Sequence, residues 1–112
     1  MVKIDYIIGH YKQDILDEET IKKTFGDNAK PWAGSKTSFM IHNLELSDAI
    51  KTYHKFKSCS PKGKSFVIGF KDKSLEEHIL NVCLLENIPV IATKVAAYLG
   101  DKPYNYAITI KS

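Results

Sequence analysis

Residues 65–92 read Ser65-Phe66-Val67-Ile68-Gly69-Phe70-Lys71-Asp72-Lys73-Ser74-Leu75-Glu76-Glu77-His78-Ile79-Leu80-Asn81-Val82-Cys83-Leu84-Leu85-Glu86-Asn87-Ile88-Pro89-Val90-Ile91-Ala92. Ser65–Phe70 has a continuous apolar centre, as a strand covered on both faces does. Ser74 with Glu77 fits a capping box and opens a helix through about Glu86. That helix is apolar at Leu75, Ile79, Leu80, Val82, Cys83, Leu84 and Leu85, which predicts deep burial. Asn87 fits a helix stop. Ile88–Ala92 then reads as a short buried strand. Strand, helix, strand in this order implies a crossover between parallel strands.

The pattern extends in both directions. Upstream, Val2–Ile8 reads as a strand. Asp17–Phe25 reads as a helix, with Asp17 as N-cap, Glu18 and Glu19 in the first turn, and Gly26 past its end. Asp27–Ser35 is a loop of breakers, and Thr37–His42 is a strand. Ser47–Lys57 is a helix with Leu46, Ala49, Ile50 and Tyr53 on one face and lysines largely on the other. Ser58–Lys64 is a turn-rich loop. Downstream, Thr93 caps a brief helix, Lys94–Leu99, closed by Gly100. Pro103 precedes a last strand, Tyr106–Ile110. The whole implies one three-layer α/β/α domain spanning 1–112, with a mostly parallel central sheet of about five strands.

Composition agrees with one globular domain: 112 residues, 44% hydrophobic and 26% charged. No apolar run reaches the roughly 18–20 residues that span a bilayer. The amino terminus lacks the apolar core of a signal peptide, so a cytoplasmic domain is expected. The net charge of +3 is unevenly placed. Residues 1–50 hold six Lys against eight acids; residues 51–112 hold ten Lys against five. The segment Lys51–Lys73 forms a basic face fit for phosphates or RNA. Arginine is absent, which removes bidentate reading of guanine and lowers the case for sequence-specific DNA binding. Cys59 and Cys83 make no disulfide framework and no zinc spacing. Cys83 reads as a small core residue.

In a parallel sheet, ligands sit outside the carboxyl ends of the strands. Those ends would carry His10, Tyr11 and Lys12, then His42 and Asn43, then Phe70 and Lys71, then Thr93 and Lys94. This set suits a phosphate-bearing nucleotide, with rings to stack and lysines to neutralise charge. His10 and His42 also suit acid and base roles on a phosphodiester, which is the best enzyme reading. Trp32, the single tryptophan, lies in a loop between lysines. It reads either as a binding platform or as a plug over one sheet face. Tyr104 and Tyr106 near the end suit a homodimer edge.

Motifs for other chemistries are missing. Ser60-Pro61-Lys62-Gly63-Lys64-Ser65 lacks the upstream glycine of a phosphate loop and leads into a strand. HExxH, PCxxC and GxSxG do not occur. No metal or cofactor is expected. Residues 64–100 resemble the L7Ae/L30e family of small RNA-binding α/β/α proteins. The likeness lies in Lys64–Phe70, Ser74-Leu75-Glu76-Glu77, Val82–Ile91 and Leu99-Gly100. It implies an α/β/α fold and assigns no RNA contact, because the family's Gly-Asn-Glu loop has no counterpart here.

The leading expectation is therefore a non-enzymatic binding protein for a phosphate-bearing nucleotide, of the kind a phage accessory protein uses to sequester a signal. RNA binding through the basic face, a small phosphodiesterase and a protein-interaction module are the alternatives.

Overall fold

A computed structural model describes residues 2–11, 18–32, 37–59, 65–99 and 102–111. The elements are β1 (Lys3–His10), α1 (Glu18–Phe25), β2 (Lys30–Pro31), β3 (Ser38–Glu45), α2 (Leu46–Cys59), β4 (Ser65–Phe70), α3 (Leu75–Leu85), β5 (Val90–Leu99) and β6 (Lys102–Lys111). No helix among the described residues is long and apolar enough to cross a membrane. Lys12, the Asp17 cap, the segment 60–64 and the Gly100 stop lie outside the described residues.

The sheet has six strands in the order β2-β3-β1-β4-β6-β5, and every neighbouring pair is antiparallel. This overturns the mostly parallel sheet and the three-layer α/β/α sandwich. The crossovers are real: β3, β4 and β5 run in the same direction. Each crossover, however, skips a strand. β1 lies between β3 and β4, and β6 lies between β4 and β5, so both units are split βαβ motifs. The strand-helix-strand pattern is local, whereas the intervening strand comes from elsewhere in the chain.

A second correction concerns Lys94–Leu99. It continues β5 and is not a helix, with Lys94 opposite Ala107 and Leu99 opposite Lys102. Its alanines favour a helix weakly; the ladder to β6 outweighs them. Only two residues, Gly100 and Asp101, separate the strands. That spacing closes only an antiparallel pair.

The ends of α3 also differ from expectation. Ser74 makes no side-chain bond to the helix. Its hydroxyl and amide instead donate to Asp72 Oδ1 at 2.7 and 3.0 Å. These bonds hold the exposed Asp72 carboxyl below its ordinary pKa, the hydroxyl having the larger effect. Asn87 ends the helix as read, in left-handed backbone with φ 57°. The Ile88 amide donates to the Cys83 carbonyl and the Asn87 amide to the Leu84 carbonyl. This is a Schellman motif, and Ile88 and Cys83 are both buried beneath it.

The helices share one side of the sheet. The main core joins Ile21 of α1, Tyr53 and Phe56 of α2, and Ile79 and Cys83 of α3 to Ile7, Phe39, Phe66, Ile68, Ile108 and Ile110 of the strands. Strand alternation sends Tyr6, Ile8 and Met40 to the other face, where Trp32 and Val67 pack on them. Among the described residues no helix contributes to that second cluster. Gly9 sits within β1 and Gly69 within β4. A Cβ on Gly9 would enter the ring of Phe39, its cross-strand partner, and one on Gly69 would enter the ring of Tyr6. Each glycine makes room for a ring, one on each face.

Candidate functional site

The antiparallel sheet divides the residues that a parallel one would gather. His10 ends β1 beside Ser38 and Ser65, where β3 and β4 begin. Lys71 follows β4 at the opposite rim, where its amide donates to Asp5 Oδ2 at 2.6 Å and its ammonium lies 3.8 Å from Oδ1. His42 is opposite Tyr6, four residues along the ladder from the His10–Ser38 pair. At about 3.3 Å per residue that is roughly 13 Å. Thr93 and Lys94 are on β5, the outermost strand, opposite Ile108 and Ala107. Thr93 is exposed. Tyr11 and Phe70 are buried on the helix side, Tyr11 against Phe56 and Phe70 against Tyr106. Asn43 is exposed, with φ 56° inside β3.

Three groups do come together. His10 Nδ1 lies 2.7 Å from the buried Ser38 Oγ. The Trp32 ring meets the His10 ring edge-on, with centroids 5.8 Å apart. Trp32 also packs on the Tyr6, Ile8 and Met40 cluster. In this place it is half-buried over the sheet face that carries the second cluster.

A concavity lined by described residues lies elsewhere, in the helix layer. A groove of about 600 Å³ runs between α2 and α3. One wall is Ser47, Ile50, Lys51 and His54; the other is His78, Val82 and Glu86. Both sets have helical spacing, at i, i+3, i+4, i+7 on α2 and i, i+4, i+8 on α3. Val2, Glu45 and Leu46 close one end, where the Leu46 amide donates to the Val2 carbonyl at 2.7 Å. That bond satisfies one free amide of the first helical turn and fixes α2 to the start of β1.

The lining is graded. Leu46 and Ile50 are buried and Val2 and Val82 half-buried, giving an apolar floor. Lys51, His54, His78 and Glu86 are exposed around the mouth, and Glu45 is half-buried. Tyr53 of α2 and Cys83 of α3 are both buried in the main core. Burial pushes the Cys83 thiol above its ordinary pKa. Burial, and secondarily the charge of a Cys83 thiolate, do the same to the Tyr53 phenol. Both groups therefore stay neutral at pH 7. No cluster of three metal-ligating side chains occurs among the described residues.

His78, Glu45, Ser47 and Glu86 were not legible as site residues from sequence. The two helical stripes were available, but their adjacency depends on β6 and β1 lying where they do. Comparison with protein-family models, with curated proteins and with solved structures finds no match. The antiparallel sheet also departs from the layering that the resemblance of residues 64–100 implies.

Proposed function

We propose that the protein is a non-enzymatic binding domain whose α2–α3 groove captures a phosphate-bearing nucleotide. The observation that carries this reading is an apolar floor joined to a Lys-and-imidazole edge in about 600 Å³, a volume within the usual range for small-ligand sites. The floor of Leu46, Ile50 and Val82 suits a base. Lys51 supplies a point charge for phosphate, and His54 and His78 supply ring donors. Ser47 lies in the first turn of α2, where backbone amides favour anions. Glu45 and Glu86 accept hydrogen bonds from ribose hydroxyls or exocyclic amines.

The same two carboxylates oppose a long polyanion lying along the groove, which favours a compact ligand over RNA. RNA binding would instead use the outer lysines of α2, Lys55 and Lys57, both exposed. Thermal shift with AMP, ATP and cyclic dinucleotides tests the choice, because a ligand that binds the folded state raises Tm. At least one should raise it, and Lys51→Glu should weaken that ligand about tenfold or more, or roughly 1.4 kcal/mol. No response to any nucleotide overturns the reading. Binding of single-stranded RNA that falls steeply with salt, and equally in Lys51→Glu and Lys55→Glu, replaces it with the RNA reading.

A further inference from the structure

The polar groups that line the α2–α3 groove are of few kinds. Among the described residues they are two carboxylates, two imidazoles, one ammonium and one hydroxyl, with no side-chain amide and no guanidinium. The two carboxylates differ in setting. Glu86 follows the last turn of α3 and is exposed. Glu45 ends β3 directly before Leu46 and is half-buried, at the end of the groove that Val2 and Leu46 close. Lys3 stands opposite Glu45 in the β1–β3 ladder. Ion pairs among the described residues join Lys22 to Glu18 and Lys71 to Asp5, and none engages Glu45.

An ionised carboxylate only accepts hydrogen bonds, and beside an apolar floor those bonds are stronger than in water. It therefore selects a base edge that presents donors. Guanine alone among the common bases has two adjacent donors on its Watson–Crick edge, N1–H and the 2-amine, which match the two oxygens of one carboxylate. Adenine and cytosine each place an amine beside an unprotonated ring nitrogen, whose lone pair would face the second oxygen. Uracil and thymine place one N–H between two carbonyls, so both flanks repel. The cations lie further along the groove. Lys51 and His54 are five and eight residues beyond Leu46 on α2. At 1.5 Å per residue that is roughly 8 and 12 Å along the axis. Carboxylate and cation thus occupy separate points of one groove, as the base edge and phosphate of one nucleotide do.

We infer that the captured nucleotide carries guanine, held at its Watson–Crick edge by the Glu45 carboxylate while its phosphate reaches Lys51. This rests on the groove being the nucleotide site. N1–H donates to one Glu45 oxygen and the 2-amine to the other, the parallel two-bond arrangement that carboxylates accept. The ring lies on the floor of Leu46, Ile50 and Val82. His54, one turn beyond Lys51, stands on the phosphate side. Glu86 stays in water and carries none of the base preference.

Calorimetric titration of the full chain with GMP, IMP and AMP tests this. IMP keeps N1–H but lacks the 2-amine, so it should bind about tenfold or more weakly than GMP. AMP turns a lone pair toward the carboxylate and should bind about a hundredfold or more weakly. Glu45→Gln replaces one acceptor with a donor, which suits adenine's amine and ring nitrogen. It should reverse the order of GMP and AMP with unchanged circular dichroism, whereas Glu86→Gln should leave that order as it was. If Glu45→Gln misfolds, the ratio of GMP to IMP affinity in the unaltered chain still decides for or against guanine. GMP bound no more tightly than IMP or AMP overturns the guanine assignment and leaves the groove reading in place. So does a folded Glu45→Gln that weakens all three alike, or a preference lost in Glu86→Gln. Binding of none of the three, nor of ATP or cyclic dinucleotides, overturns both.

Discussion

The helices α2 and α3 perform the same task and are built differently. Each carries the chain from one strand to the next parallel strand over an intervening antiparallel one. α2 buries Leu46, Ala49, Ile50, Tyr53 and Phe56 on a single stripe and turns its lysines outward. α3 buries only Ile79 and Cys83 and leaves Leu84 and Leu85 exposed. The lesson is that apolar content does not measure burial. α2 lies over the middle of the sheet, where strands extend on both sides. α3 leads to β5, the strand at the edge of the sheet.

Substitutions can break this contrast, beginning with the strongest. Phe56→Ala should cost about 3–5 kcal/mol in chemical denaturation, because the ring is fully buried against Tyr11, Phe39 and Phe66. Gly69→Ala should cost about 1–3 kcal/mol by displacing the Tyr6 ring, with much of the loss recovered in Tyr6→Leu, Gly69→Ala. Asn87→Ala should cost about 1–2 kcal/mol through the left-handed backbone, while Asn87→Gly should be near neutral. At the bottom of the scale, Leu84→Ser should change monomer stability by roughly 0.5 kcal/mol or less. A large monomer effect from Leu84→Ser would mean that α3 is packed on both sides after all.

The contrast also has a pH dependence. Tyr53 of α2 and Cys83 of α3 are buried, with pKa values raised above their ordinary 10.0 and 9.0. Each remains protonated in the folded chain when the unfolded chain has begun to ionise. Their contribution is therefore complete below about pH 9 and lost as pH rises through the folded values. Urea midpoints measured from pH 7 to 10.5 should fall above pH 9, and Cys83→Ala should shift the start of that fall upward. A flat profile would contradict burial of both groups in the core.

Much of the local structure was legible. Ser65–Phe70 is a strand with the expected ends, Gly26 follows α1 with φ 106°, Asn87 stops α3, and Cys83 is core. These depend on a few neighbouring residues. What failed depends on residues far away. The direction of the sheet turns on β1 and β6 inserting into the crossovers, and no periodicity within residues 65–92 encodes that. Residues 94–99 were misread because Thr93 and Gly100 resemble helix ends, while the Gly100-Asp101 spacing of a hairpin carried the better information. The site followed the sheet. With strands alternating in direction, His10 and Lys71 fall on opposite rims, and the residues that converge are those on neighbouring helices.

Amide chemical shifts of the isotopically labelled chain during titration with the tightest-binding nucleotide of the panel locate the site directly. The groove reading predicts that the perturbed residues are Ser47, Lys51, His54, His78 and Val82, with His10, Trp32 and His42 unmoved. Perturbation concentrated at His10 and Trp32, with α2 and α3 silent, would contradict it.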